Sequence, residues 1–229
     1  MNNLRITWIG QSGYILNDGN NEICIDPYLS DLAERICGQK RLIPSPVQAE
    51  KLKSDVVICT HRHIDHMDTD SIPKMEKENK IFLAPSDACN VSDINMKSFD
   101  EGDLFRIGNF TIKATFADHT VPAIGVMIEH SGIKLYFSGD TYYNDKLCRL
   151  KEENLDVVFI CINGRLGNMD VNDAIKLTNT LNPKVAVPNH YGMFADNTED
   201  PQKYISKVKN GFEMTIGREY TISEVIENV

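Results

Sequence analysis

The chain has 229 residues, 41% of them hydrophobic and 25% charged, with 33 acidic against 24 basic side chains and a net charge of −9. This supports a sizeable core rather than a disordered chain, and the acidic balance argues against a nucleic-acid partner, which would want a basic face. No apolar run approaches the ~20 residues that span a bilayer, so no membrane partner is expected.

The polar start Met1-Asn-Asn-Leu-Arg5 is not that of a signal peptide. Of the cysteines, Cys24, Cys59 and Cys161 sit in apolar runs and Cys37, Cys89 and Cys148 elsewhere, with no Cys-x-x-Cys pair. Free thiols in a reducing cytoplasm account for them best.

Leu4 to Gly10 alternates as a strand does, and Gln11-Ser-Gly13 breaks it. Gly13–Leu16 and Glu22–Asp26 follow as two strands around Asn17-Asp-Gly-Asn-Asn21, a hairpin signal. The second ends in Asp26-Pro27, where proline blocks further pairing. Asp26 reads either as a turn residue or as a carboxylate supporting a neighbouring site. A short helix over Ser30–Ile36 precedes a loop that contains Arg41.

Asp55-Val-Val-Ile-Cys-Thr60 is a short buried strand, and it runs into Thr60-His-Arg-His-Ile-Asp-His-Met-Asp68. His61 and His63, two apart in an extended turn, can point to one side and share a divalent cation. Asp65 and His66 lie one step on, where they can serve a second. Imidazole and carboxylate suit borderline or hard metals, and no cysteine demands a soft one. A solvated helix start explains one histidine, not three with an aspartate in six residues.

Thr69–Asn79 reads as a helix and Lys80–Pro85 as a strand, followed by a meander over Met96–Ala117 that runs into Asp118-His119. A hairpin of Gly125–Glu129 and Lys134–Phe137 empties into Ser138-Gly-Asp140-Thr141, leaving His130 in its turn as a surface residue. The most apolar strand, Asp156–Ile162, empties into Asn163-Gly-Arg165. A helix capped by Asp170 runs to Asn182-Pro183, and the strand Lys184–Asn189 ends at His190. A helix near Gln202–Lys209 and a strand near Phe212–Ile222 close the chain. Strand after strand thus delivers a ligand-type side chain at its C-terminal end, the edge where layered α/β folds build sites. With no repeat, linker or low-complexity segment, residues 1–229 read as one domain.

The pattern His-x-His-x-Asp-His-x-Asp, a later His, Gly-Asp-Thr and a final His resembles the metallo-β-lactamase superfamily. Trp8–Tyr14, Ile25–Ser30, His119–Gly125, Ile162–Arg165, Gly167–Met169 and His190–Phe194 resemble one branch of it, the L-ascorbate-6-phosphate lactonase-like hydrolases. The resemblance implies a four-layer αββα sandwich with the metal site along one edge of the β-sandwich. It implies His61, His63 and His119 on one metal, Asp65, His66 and His190 on the other, Asp140 bridging, and Asp26 orienting the metal loop. Secreted β-lactamases commonly carry a cysteine where Asp140 stands, flavodiiron proteins carry Glu where His63 stands, and the tRNA-processing nucleases carry an RNA-binding arm without counterpart here.

The activity expected is hydrolysis, with one or two Mn or Zn ions per chain lowering the pKa of a bound water toward ~7 so that hydroxide attacks a carbonyl. Asp65 accepts a hydrogen bond or proton from that nucleophile and, with Asp140, forms the catalytic pair. A lactone fits, because its leaving alkoxide stays attached. For a phosphorylated sugar lactone, Arg165 is the best candidate cation, with Arg41, Gln11, Asn163 and Tyr191 as lesser substrate contacts. A structural ion pair is the other reading of Arg165. Phosphodiester cleavage and metal binding without turnover are the rival functions. The expected partner is a small anionic substrate, and a homo-oligomer is open.

Overall fold

Apolar, β-branched runs separated by Asn, Asp and Gly turns form two mixed sheets, seen in a computed structural model that describes residues 3–75, 80–91 and 94–227. The first sheet opens as an antiparallel meander of β1 (Arg5–Gly10), β2 (Gly13–Asn17) and β3 (Glu22–Ile25). Three strands then add in parallel: β4 (Val56–Ile58), β5 (Ile81–Ala84) and β6 (Lys97–Ser98). The second sheet is antiparallel through β7 (Leu104–Ile107), β8 (Phe110–Phe116), β9 (Ile124–His130) and β10 (Ile133–Phe137). It continues in parallel through β11 (Val157–Cys161) and β12 (Val185–Asn189). Finally β13 (Glu219–Thr221) pairs antiparallel with β1 on the first sheet's far edge.

The inner faces of the two sheets share one apolar cluster that runs from Leu4 to Val225. At its centre Phe137 and Phe159 stack with centroids 4.3 Å apart, and Tyr14 packs on both at 5.0 and 4.8 Å. Such ring contacts add to the burial of their area.

The outer layers are unequal. Over the second sheet lies α2 (Val171–Leu181), capped by Asp170, whose carboxylate accepts from the Asp173 backbone N–H at 2.9 Å. Ala174, Leu177, Thr178 and Leu181 recur at the spacing of one helix face, and all are buried. A 3-10 helix over Asp145–Glu153, not anticipated from sequence, packs against it. The first sheet is covered mostly by loops and two 3-10 turns, Ala49–Lys51 and Ile72–Lys74, which bury Leu52, Met67, Ile72 and Met75.

Of the expected helix over Thr69–Asn79, the described part, residues 69–75, holds a single 3-10 turn, and residues 76–79 lie outside the described residues. Other helices are short: α1 (Leu32–Cys37), α3 (Gln202–Ile205), where a longer helix was expected, and α4 (Ile222–Glu227); of the strand expected near Phe212–Ile222 only β13 forms. Among the described residues no helix is long and apolar enough to cross a membrane.

His130 corrects the reading as a surface residue. It ends β9 buried, with its ring 4.6 Å from that of Phe110 and Nε2 3.1 Å from Asp18 Oδ2. The same aspartate accepts from the backbone N–H groups of Asn20 and Asn21 in the β2–β3 turn. The pair thus ties two hairpins across the sandwich. Asp18→Ala strands the buried imidazole and opens the turn, so a loss of about 2–3 kcal/mol is expected in chemical denaturation. Metal content should not change, because Asp18 and His130 are not among the candidate ligands.

Candidate metal centre

Strand ends from both sheets meet at one edge of the sandwich. Asp26 follows β3, His61 follows β4, His119 follows β8, Asp140 follows β10 and His190 follows β12. Past His61 the loop folds back as a turn, with the N–H groups of His66 and Met67 donating to the His63 carbonyl at 3.0 and 2.7 Å. That turn brings four side chains of one short stretch to one place. Asp68, also in the stretch, anchors it: its buried carboxylate accepts from the N–H groups of Leu29 and Ser30 and the hydroxyls of Ser30 and Ser71, at 2.6–2.9 Å.

Seven side chains read as ligands in the sequence form overlapping sets, His61–His63–His119, His61–His66–Asp140 and Asp65–His66–His190, with donor atoms within 4.8 Å of one another in each. In the first, His63 Nδ1 lies 2.9 Å from His61 Nε2 and 3.1 Å from His119 Nε2. In the third, His66 Nε2 and His190 Nε2 are 3.3 Å apart, with Asp65 Oδ2 at 3.8 and 3.6 Å. Asp140 stands between: Oδ1 is 3.2 Å from both His66 and His190 Nε2, and Oδ2 is 4.0 and 3.9 Å from those of His61 and His119.

The outer nitrogens of three rings are fixed by neighbours that decide the tautomer. His66 Nδ1 donates to Asp26 Oδ2 at 2.7 Å, and His119 Nδ1 to the Gly167 carbonyl at 3.0 Å. Thr60 gives its hydroxyl proton to Asp26 at 2.8 Å, so its oxygen can accept from His61 Nδ1 at 3.1 Å. Each of these rings therefore offers a bare Nε2 to the cluster. Asp26 also accepts from the Thr60 backbone N–H at 2.7 Å. It is wholly buried, so of its two readings the supporting carboxylate is the one the contacts fit.

Charge at the centre fits a cation. Burial and the neighbouring His66 push His61 well below the usual histidine range, and burial beside His119 lowers His63. Burial opposes charge on His66 and His190 too, but Asp140 and the other carboxylates prevail, raising His66 well above that range and His190 to about 9. Asp140 and Asp65 are in turn held below the carboxylate range by those histidines in spite of burial. A divalent ion would replace these protons among the same carboxylates. Asp140 Oδ1 is a buried acceptor without a hydrogen bond, which also fits an ion.

The lesser candidates divide. Gln11 is a neighbour of the ligands: Nε2 donates to Asp65 Oδ2 at 2.8 Å and lies 3.3 Å from His190 Nε2. It, Asp26 and His190 all hold left-handed backbone, with φ of 52°, 44° and 59°. Such conformations concentrate where a site demands them. Arg41 is buried and spends its guanidinium on the carbonyls of Tyr28, Ser30 and Ile43 at 3.0–3.2 Å, which makes it scaffold. Asn163 is likewise internal, donating to Asn197 Oδ1 at 2.7 Å. Arg165 is exposed and donates from Nη1 to the Asp196 carbonyl at 2.8 Å. Tyr191 is buried, with its ring 4.9 Å from that of Trp8.

Gly167 was quoted only as part of a motif, yet its φ of 102° and its carbonyl place His119. A Cβ there would meet His119 Nδ1 at 2.6 Å and Cε1 at 2.7 Å. Gly167→Ala should displace the ring and weaken metal binding about 10- to 100-fold, read by competition with a chelating indicator.

Two mixed sheets joined by a buried His/Asp cluster at one edge define the class as the metallo-β-lactamase fold. The chain belongs to the beta-lactamase superfamily, since the family model described as Beta-lactamase superfamily domain matches residues 5–190. A UPF0173 metal-dependent hydrolase of Oenococcus oeni is 27% identical over 229 residues, 91% of this chain and 94% of that protein. The structure of Igni18, a metallo hydrolase of Ignicoccus hospitalis, aligns with a TM-score of 0.76 at 23% identity, covering 95% of this chain and 97% of that one. An isothiocyanate hydrolase from Delia radicum gut bacteria aligns with a TM-score of 0.78 at 17% identity, over 95% and 98% of the two chains. At such identities the structural likeness is one of fold.

Proposed function

We propose that the protein is a metal-dependent hydrolase that cleaves an acyl–oxygen bond, as in a lactone or ester. The observation that carries the metal-dependent part of this reading is Asp140, whose two oxygens each face a different histidine pair. That supports one ion among His61, His63 and His119, a second among Asp65, His66 and His190, and Asp140 between them. The nitrogen–oxygen donor set favours Zn or Mn. Metal at this edge supplies Lewis acidity, activating water and polarising the carbonyl.

The chain's own residues do the rest. Asp65, aimed by the Gln11 amide and only partly buried, takes the proton from the attacking water. The acyl carbon gains the hydroxyl, the acyl–oxygen bond breaks, and the leaving oxygen receives that proton. Asp26, Thr60 and the Gly167 carbonyl hold the imidazoles so that no reorganisation is needed during the reaction. A phosphorylated substrate is less well supported, because Arg165 and Arg41 both serve backbone carbonyls. Six free cysteines, three of them buried, favour the reducing cytoplasm.

Elemental analysis of protein purified without chelator should find close to two divalent ions per chain. The same preparation should cleave lactones or esters ahead of phosphodiesters and β-lactams. Metal at background level at neutral pH would sink the proposal.

A further inference from the structure

Beside the His190 end of the metal centre lies a cleft of about 660 Å³, walled by Trp8, Ile43, Pro44, Pro46, Tyr191 and Met214. None of the seven candidate donors lines it, but its back wall connects to them through the chain and through hydrogen bonds. Tyr191 follows His190 in the chain and packs its ring on Trp8. Trp8 Nε1 donates to the Gln11 carbonyl at 2.9 Å, and the Gln11 amide holds Asp65. On the other side Ile43 packs in the same apolar cluster as Ile64, the residue between His63 and Asp65. Two prolines with restricted backbones stiffen the rim, so the cleft is largely preformed.

Its charge disfavours anions. Among the described residues lining it, Glu213 is the one charged side chain, and it is exposed. No arginine among the described residues lines the cleft: Arg62 pairs with Asp87 at 3.2 Å, Arg165 donates to the Asp196 carbonyl and Arg41 donates to three carbonyls. A phosphate or carboxylate in the cleft would meet a carboxylate, and neither arginine nor lysine among those residues lines it. An aromatic and aliphatic wall of this size instead suits a large uncharged group.

We infer that this cleft seats an uncharged aryl or long acyl group of the substrate, against Trp8 and Tyr191, while the scissile bond lies at the metal donors. The inference rests on the hydrolase reading for its chemistry, but occupancy of the cleft can be read without turnover. Trp8 is the sole tryptophan. Its emission should be quenched saturably by para-nitrobenzyl alcohol, and not by glycerol phosphate at equal concentration. Thr215→Phe narrows the cleft at an exposed position whose backbone contact with the Tyr220 hydroxyl needs no threonine side chain, and should weaken that binding roughly tenfold. Ile43→Asp, which adds a carboxylate to the wall, should do the same if the first variant folds poorly.

In turnover, kcat/KM for para-nitrophenyl esters should climb about fourfold per added methylene over the first few carbons. The climb should flatten in both variants. Metal-loaded protein that cleaves a short ester but shows no saturable quenching would overturn the cleft and leave the hydrolase reading standing. Quenching unchanged in both variants would also overturn it. Intact quenching in protein that binds metal but cleaves no ester keeps the cleft as an apolar binding site and removes the acyl chemistry instead.

Discussion

Asp140→Asn is expected to lower kcat/KM by on the order of 10³-fold or more, the scale of losing a preorganised charged group from a catalytic site. The carboxylate faces His66 and His190 with one oxygen and His61 and His119 with the other. An amide keeps one acceptor oxygen and turns an NH₂ donor toward the other histidine pair. It also brings no charge to offset two cations. Metal content should drop from near two ions per chain to one or fewer, while the sheets, whose core lies between them and does not include Asp140, persist. The checks are elemental analysis, steady-state kinetics and circular dichroism on the same sample. Full activity with both ions retained would remove Asp140 from the bridging position.

Asp26→Asn should lower metal affinity about 10- to 100-fold. Asparagine tolerates the left-handed backbone that Asp26 adopts, so the change isolates the carboxylate. The wild-type oxygens accept from the Thr60 N–H, the Thr60 hydroxyl and His66 Nδ1. An amide cannot accept from all three. Its NH₂ would face Thr60 Oγ1 and His66 Nδ1, driving the imidazole proton onto Nε2, the nitrogen that faces Asp140. Competition with a chromophoric chelator measures the loss, and fold stability should fall as well, because Asp26 is wholly buried. Unchanged affinity would show that His66 needs no such anchor.

How much of this the sequence carried depends on the range of each interaction. Strands are local in origin: alternation and Asn/Asp/Gly turns marked nearly every one, from Arg5–Gly10 to Val185–Asn189, to within a few residues. The centre was legible for a related reason. Four of its side chains lie within the six residues His61–His66, and His119, Asp140 and His190 each stand just beyond a recognisable strand. A ligand at the C-terminal end of a strand can be assigned to an edge before the strand's neighbours are known.

Only tertiary structure decided the contacts between distant segments. His130 looked like a turn residue because its neighbours Ser131 and Gly132 are; Asp18 and Phe110, from other hairpins, bury it. The pattern after Asp68 suited a helix, but in the described residues 69–75 only the 3-10 turn Ile72–Lys74 forms, with Ile72 and Met75 buried in the cluster on the first sheet. Arg41 and Arg165 both carried the charge that a phosphate needs, and the fold turned Arg41 inward to three carbonyls while leaving Arg165 exposed with one bond, to the Asp196 carbonyl. Trp8 and Tyr191 became one wall only because β1 and β12 end at the same edge. Period and spacing specify which residues can form strands and donate to a metal. Which buried polar group finds a partner, and which arginine stays free, follows from the packing of chain segments whose separation no local pattern encodes.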